Sequence, residues 1–279
     1  MCALWACSAK APVAPPSAAP AGEPIYAMLA EQPDFALDLR PHALERDRQA
    51  VSLQDPAAEG ASIGMGKILR GSERVLVVTQ REGAHTEVGM ALIGIPASFG
   101  IEDVQDEAGE RLLSRCKDVE LPVPCWTHEG DTVRRVYVVE PRQWFVAVGA
   151  RAAARAEEAI RTKRVATAPA LVDPVLWRAR YRGASLRKSI PKLRVGPLAP
   201  IAEGLEEVTI ERHRRSDLTY LRAEYTNSEA AADAEPLATR ILGLWRRGGE
   251  GRAGTLEHRG AQLIAQLRGE LTTEPTPQD

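Results

Sequence analysis

The feature that most constrains the fold is an order of elements that occurs twice. The first half reads as a strand over Phe35–Arg40, a helical stretch from Pro41 broken near Pro56, a short helix around Ser62–Leu69, strands over Glu73–Gln80 and Glu87–Ile95, and a helical segment after Pro96. The second half reads as a strand over Leu176–Tyr181, a mixed helical region, a short helix near Leu198–Gly204, and strands over Glu207–His213 and Leu218–Tyr225. A helix over Ser228–Arg247 follows, with Ser228 as its N-cap and Gly248-Gly249 as its breaker. Hairpin loops at Arg81–Thr86 and Arg214–Asp217 join the paired strands. The expectation is an α+β protein of two tandem β-α-β-β-α units with mainly antiparallel sheets. Identity between the halves is low and the order is generic, so chance agreement is the competing account.

The first half adds a hairpin, Val133–Glu140 and Trp144–Gly149, turned by Pro141-Arg142-Gln143. A helix over Ala150–Arg164 follows, rich in alanine and with its basic residues mostly toward the C-terminal end, where they complement the helix dipole. His258 is placed at the start of a last helix. These elements divide the chain into a first α/β unit over 32–165 and a second over 166–271, with Val165–Pro174 between them and a disordered tail over 272–279.

The strands of the halves differ in pattern. Val75-Leu76-Val77-Val78, Met90-Ala91-Leu92-Ile93 and Trp144-Phe145-Val146-Ala147-Val148 are apolar on both sides, which predicts a sheet covered on both faces. In the second half Val208 and Ile210 alternate with Glu207, Thr209 and Glu211. Leu221, Ala223 and Tyr225 alternate with Tyr220, Arg222 and Glu224, and Trp177, Ala179 and Tyr181 with Arg178 and Arg180. That alternation predicts a half-solvated sheet.

Charge excludes some partners. With 36 Lys and Arg against 38 Asp and Glu, the 279-residue chain has a formal charge of −2, so no overall basic excess points to nucleic acid. No apolar run approaches the 18 or more residues of a membrane span.

The N-terminal residues carry the one recognisable motif. Leu4-Trp5-Ala6-Cys7 places an apolar residue three positions before a cysteine and a small residue just before it, and a Pro/Ala/Ser stretch follows to about Pro24. This resembles the lipobox and tether of bacterial lipoproteins. The resemblance implies lipidation at Cys7, residues 1–7 as the remnant of a signal peptide whose leader extends upstream of Met1, and a flexible tether over 8–31. It implies attachment to a membrane through the lipid anchor, on the periplasmic side of the cell envelope. Ser8 after the cysteine goes with outer-membrane sorting in that class. The body of the chain is similar only in style to uncharacterised envelope lipoproteins. If no leader exists, the alternative is a soluble cytoplasmic interaction protein.

With Cys2 removed and Cys7 acylated, two thiols remain, Cys116 and Cys125, nine positions apart. In an oxidising periplasm they can close a disulfide around Leu121-Pro122-Val123-Pro124, and two separate thiols are the other outcome. His128 near Cys125 does not complete a zinc set.

The strongest local charge is a basic block on and after the Leu176 strand: Arg178, Arg180, Arg182, Arg187 and Lys188, with no carboxylate among them. It can serve as an anion-binding surface toward an anionic polymer, lipid headgroups or an envelope protein. Alternatively Arg178 and Arg180 pair across strands with Glu207, Glu211 and Glu224. Asp38 and Arg40 share one side of the first strand, as a surface ion pair or facing a groove. The five histidines lack partners at metal or triad spacing, and Gly64-Met65-Gly66-Lys67 lacks the phosphate-loop spacing. No catalytic residue, metal site or cofactor is assigned. The functional expectation is a membrane-tethered binding or scaffolding module, against an envelope enzyme using Asp38 with Arg178 or Arg180 where the halves meet.

Overall fold

Twelve strands form one sheet in which each neighbouring pair runs antiparallel. The computed structural model describes residues 33–41, 68–82, 85–105, 111–128, 132–162, 175–189, 199–213, 218–247 and 252–268. The strands are β1 (Phe35–Leu39), β2 (Arg74–Glu82), β3 (His85–Ile93), β4 (Ser114–Arg115), β5 (Cys125–His128), β6 (Arg134–Glu140), β7 (Gln143–Val148), β8 (Val175–Arg182), β9 (Leu205–His213), β10 (Leu218–Tyr225), β11 (Ala253–Arg259) and β12 (Gln262–Arg268). The helices are α1 (Ala150–Arg161), α2 (Gly183–Ser189), α3 (Ala199–Ala202) and α4 (Ser228–Arg247).

The halves meet where β1 pairs with β8, with Leu37 opposite Ala179 and Asp38 opposite Arg178. Counted outward from that seam, the strands run β1-β2-β3-β7-β6 on one side and β8-β9-β10-β12-β11 on the other, and β5 and β4 extend the first side. The expected plural sheets are therefore a single sheet, because β1 and β8 offer each other matching edges. The first half holds seven strands and the second five, four and two more than the three of a β-α-β-β-α unit.

One face carries α1. Its small side chains Ala152, Ala153, Ala156 and Ala159, with Ile160, let the helix lie close on Ala36, Leu76, Val78, Ala91, Tyr137, Phe145 and Ala147. The helix starts at Gly149 (φ 103°), where a side chain would strike Glu87. Glu87 accepts the Ala152 amide hydrogen bond at 2.9 Å and so satisfies the helix start from β3. A buried carboxylate fixes the other end: Glu157 accepts from Tyr137 at 3.0 Å and from Arg135. Burial and the Glu157 charge push the Tyr137 hydroxyl pKa well up.

The opposite face is mainly apolar, with Arg212 donating to the Thr219 hydroxyl at 3.2 Å as a buried polar pair. In the first half Ile68, Val75, Leu92, Ile95, Val104, Val136 and Trp144 pack there. In the second half α2, α3 and α4 cover it, with Leu205, Ala223, Tyr225, Ala231, Ala234 and Leu263 in the core. Burial there raises the Tyr225 pKa to about 12. Trp177, Ala179, Phe35, Leu37 and Ile210 bridge the halves behind the seam.

Three local expectations change. Among the described residues the region after Pro96 holds a one-turn 3-10 helix, Ile101–Asp103, in place of a longer helix, flanked by extended backbone at Gly100 and Val104. His258 lies on β11: the 253–268 segment is a hairpin turned at 260–261, whose alternate residues face α4 and solvent. Its Leu, Ala, Gln and Arg favour a helix in isolation, and pairing with β10 overrides that preference. The α4 N-terminus is capped by Asn227, which accepts the Ala230 amide at 2.9 Å, one residue before the expected Ser228. The helical stretch expected from Pro41 to near Pro56 (beyond Pro41 itself), the leader and tether over 1–31, the boundary Val165–Pro174 and the tail over 272–279 lie outside the described residues, as does the short helix expected over Ser62–Leu69 except for its end, where 68–71 are helical.

Candidate functional site

Cross-strand partners in an antiparallel sheet share a face, so the register places side chains without further assumption. Opposite pairs run Asp38–Arg178, Arg178–Glu211, Glu211–Tyr220, Tyr220–Gln266 and Gln266–Thr255, across six strands from β1 to β11. This polar row lies on the face that α1 covers in the first half. In the second half no helix among the described residues covers it.

The row is tightly connected near the seam. Arg74 of β2 donates to both Asp38 oxygens, at 2.8 and 2.5 Å. Asp38 is only 1% exposed. Burial raises its pKa above the ordinary aspartate value, against the opposing pull of Arg74, Arg178 and Arg40. Arg178 donates to Glu211 at 2.6 Å. The second Glu211 oxygen lies 3.6 Å from His213 Nε2. Burial works to raise the Glu211 pKa, but the hydrogen bonds and charges of His213 and Arg178 outweigh it and hold the carboxyl below the ordinary glutamate value. The His213 ring stacks at a tilt on Tyr220, with centroids 4.7 Å apart, and Gln266 donates to the Tyr220 hydroxyl at 3.2 Å.

A second row runs beside it. Arg180 donates to Glu207 at 3.1 Å, Glu207 also accepts from Thr209 at 3.1 Å, and Gln262 donates to Glu224 at 3.2 Å. The Arg180 and Glu207 side chains are 28% and 32% exposed, against 14% and 4% for Arg178 and Glu211. Burial of the polar groups thus rises from the rim toward the seam.

The structure divides the basic block. Arg178, Arg180 and Arg182 alternate onto the open face of β8. Arg187 instead donates to the carbonyls of Ala202 and Leu205, at 3.0 and 2.7 Å, and ties α2 to the start of β9. Lys188 follows it on α2, which packs Leu186 on the opposite face. Asp38 does not form the surface pair with Arg40 that the spacing allows; its bidentate partner is Arg74, 36 residues away. A groove lined by Pro200, Glu203, Gly204, Thr226, Asn227, Glu229, Ala230 and Asp233 lies at the α3–α4 corner, away from Asp38. Among the described residues, no group of three His, Cys, Asp or Glu side chains is placed to hold a metal ion.

Sequence reasoning misses Arg74 and His213 as members of this cluster. Both become visible only through strand register: Arg74 lies two residues before Leu76, the β2 partner of Asp38, and His213 lies two residues after Glu211. At the far end of the sheet Cys116 and Cys125 are joined in a disulfide, with Cα atoms 5.4 Å apart, and Cys116 donates its amide to the Cys125 carbonyl at 3.0 Å. Arg115 lies over the Trp126 ring on the other face, 5.0 Å from its centroid.

No family model and no curated protein matches this chain. Among solved structures it is similar to the treponemal protein TP0453 in three crystal forms. Form I gives a TM-score of 0.52 at 12% identity, covering 86% of this chain and 89% of that one. Form III gives 0.51 at 12% identity, covering 86% and 90%, and form IV 0.50 at 12% identity, covering 85% and 88%. Likeness at that identity describes the fold alone.

Proposed function

We propose that this chain is a lipid-anchored protein on the periplasmic side of the cell envelope, at the outer membrane, and that its folded body is a binding or scaffolding module. The anchor reading rests on Leu4-Trp5-Ala6-Cys7 and the Pro/Ala/Ser stretch after it. One observation supports it: the Cys116–Cys125 disulfide suits an oxidising compartment. Among the described residues no helix is long and apolar enough to cross a membrane, so the lipid would be the attachment.

The observation that carries the binding reading is the open face of β8, β9, β10, β12 and β11. On it Arg178 pairs with Glu211 and Arg180 with Glu207, and at its border the buried Asp38 has both oxygens engaged by Arg74. A broad, ion-paired face suits recognition of a polar partner such as an envelope protein or an anionic polymer. The matching strand order on the two sides of the seam further supports reading the halves as tandem copies of one unit, with α1 as the connection between them.

Metabolic labelling with an alkyne fatty acid in the source organism tests the anchor. Labelled wild type and unlabelled Cys7→Ala are the expected result. An unlabelled wild type overturns the anchor and, with it, the envelope location.

A further inference from the structure

The two edges of the sheet are finished differently. The β4 edge is two residues long, Ser114–Arg115, and leads directly into the disulfide-linked Cys116. The β11 edge is a seven-residue strand paired with β12 along its full length without a register shift. β11 contains no Pro and no Lys, the residues that most often blunt an exposed edge. Every second residue of such a strand turns its N–H and C=O to the open side.

Part of that edge is already covered. Arg246 of α4 donates to the Gly254 carbonyl, so the open stretch runs from Leu256 to Arg259. Its two charged residues are of opposite sign and two positions apart on one face. Arg259 donates to both Glu257 oxygens, and these side chains are 45% and 53% exposed.

We propose that β11 joins two copies of this chain, pairing antiparallel with itself about His258. In that register Glu257 of each copy lies opposite Arg259 of the other, so two pairs held within single strands become two pairs across the joint, and the open amides and carbonyls gain partners. The β1–β8 seam already shows this arrangement inside one molecule: two antiparallel strands meet with Asp38 opposite Arg178. Both β11 edges are used in the joint and the remaining edges are the two-residue β4 strands, so assembly stops at two copies. This inference is independent of acylation at Cys7.

Sedimentation of the purified 279-residue chain across a concentration series tests it, with wild type, Glu257→Arg, Arg259→Glu and the double exchange. The expected wild-type species has twice the 30.3 kDa chain mass. Each single reversal places two like-charge pairs across the joint and weakens dimerisation roughly ten-fold, while the double exchange restores it. Thermal melting of each variant at a concentration where it is monomeric reports whether the fold itself has changed. A wild type that is monomeric throughout, a dimer indifferent to both single reversals, or open-ended filaments overturns the proposal.

Discussion

The same face of one sheet is an apolar core in the first half and a polar layer in the second, buried near the seam and exposed only toward the β11 rim. Beneath α1 it presents Ala36, Leu76, Val78, Ala91, Phe145 and Ala147; past the seam it presents Arg178, Thr209, Glu211, Tyr220 and Gln266. Strand order is shared, so topology does not set the difference. The side chains do: small and apolar residues demand a cover, and α1 supplies alanines thin enough to fit, whereas the second half links Arg178 to Glu211 and Arg180 to Glu207 across its strands. Asp38 stands at the border, on a strand of the covered half, but it faces Arg178 of the open one.

Three substitutions measure the comparison. The largest effect is expected for Phe145→Ala under α1, where the ring is 1% exposed; loss of the ring and the cavity left behind cost about 3–5 kcal/mol in denaturant unfolding. A loss below about 1 kcal/mol would mean that α1 does not close a packed core.

Glu211→Gln is expected to cost about 1.5–3 kcal/mol, because the largely buried guanidinium of Arg178 loses its opposite charge and keeps only a hydrogen bond to a neutral amide. Its pH dependence gives a second reading. The folded-state pKa of Glu211 is lowered from 4.5, so in the folded protein it holds its proton less tightly than in the unfolded chain. Its stabilisation is complete above the unfolded value and is lost as pH falls through the folded one. Asp38, raised from 3.8, runs the other way, and its contribution declines as pH rises through the raised value. Glu211→Gln therefore unfolds less steeply than wild type on acidification below about pH 4.5, while an unchanged acid limb would show that Glu211 is not held ionised by its neighbours.

The smallest effect belongs to Arg180→Ala. Its pair with Glu207 is roughly one-third exposed at both ends, and such pairs contribute about 0–1 kcal/mol. A cost of about 2 kcal/mol or more would mean that the rim is as tightly built as the seam.

Elements whose pattern is set by burial are legible in the sequence. β9 and β10 alternate because one side packs on Leu205, Ala223 and Leu263 and the other carries polar groups that bond across strands, although Thr209, Glu211 and Tyr220 there are buried where the alternation predicts solvent; α4 begins within one residue of the expected cap. The β11–β12 hairpin is not legible, because Gln262–Arg268 is composed of residues equally at home in a helix and is held as a strand by β10. The role of Asp38 is hidden for a related reason. Two residues from Arg40 it reads as half of a surface pair, and only the alignment of β1 with β2 and β8 sends it beneath Arg74 and Arg178. The Arg178–Glu211 and Arg180–Glu207 contacts are legible because alternation alone puts them on one face.

The five-residue strand β1 opens the described part of the chain and lies at the midline of the sheet, with a five-residue ladder on either side. Tension applied through the N-terminal segment would enter the fold there and not at a rim. Peeling a terminal strand breaks one ladder bond by bond, but drawing out a central one must shear both flanks together. A body suspended by its N-terminus on this plan resists extraction at the point where the pull arrives.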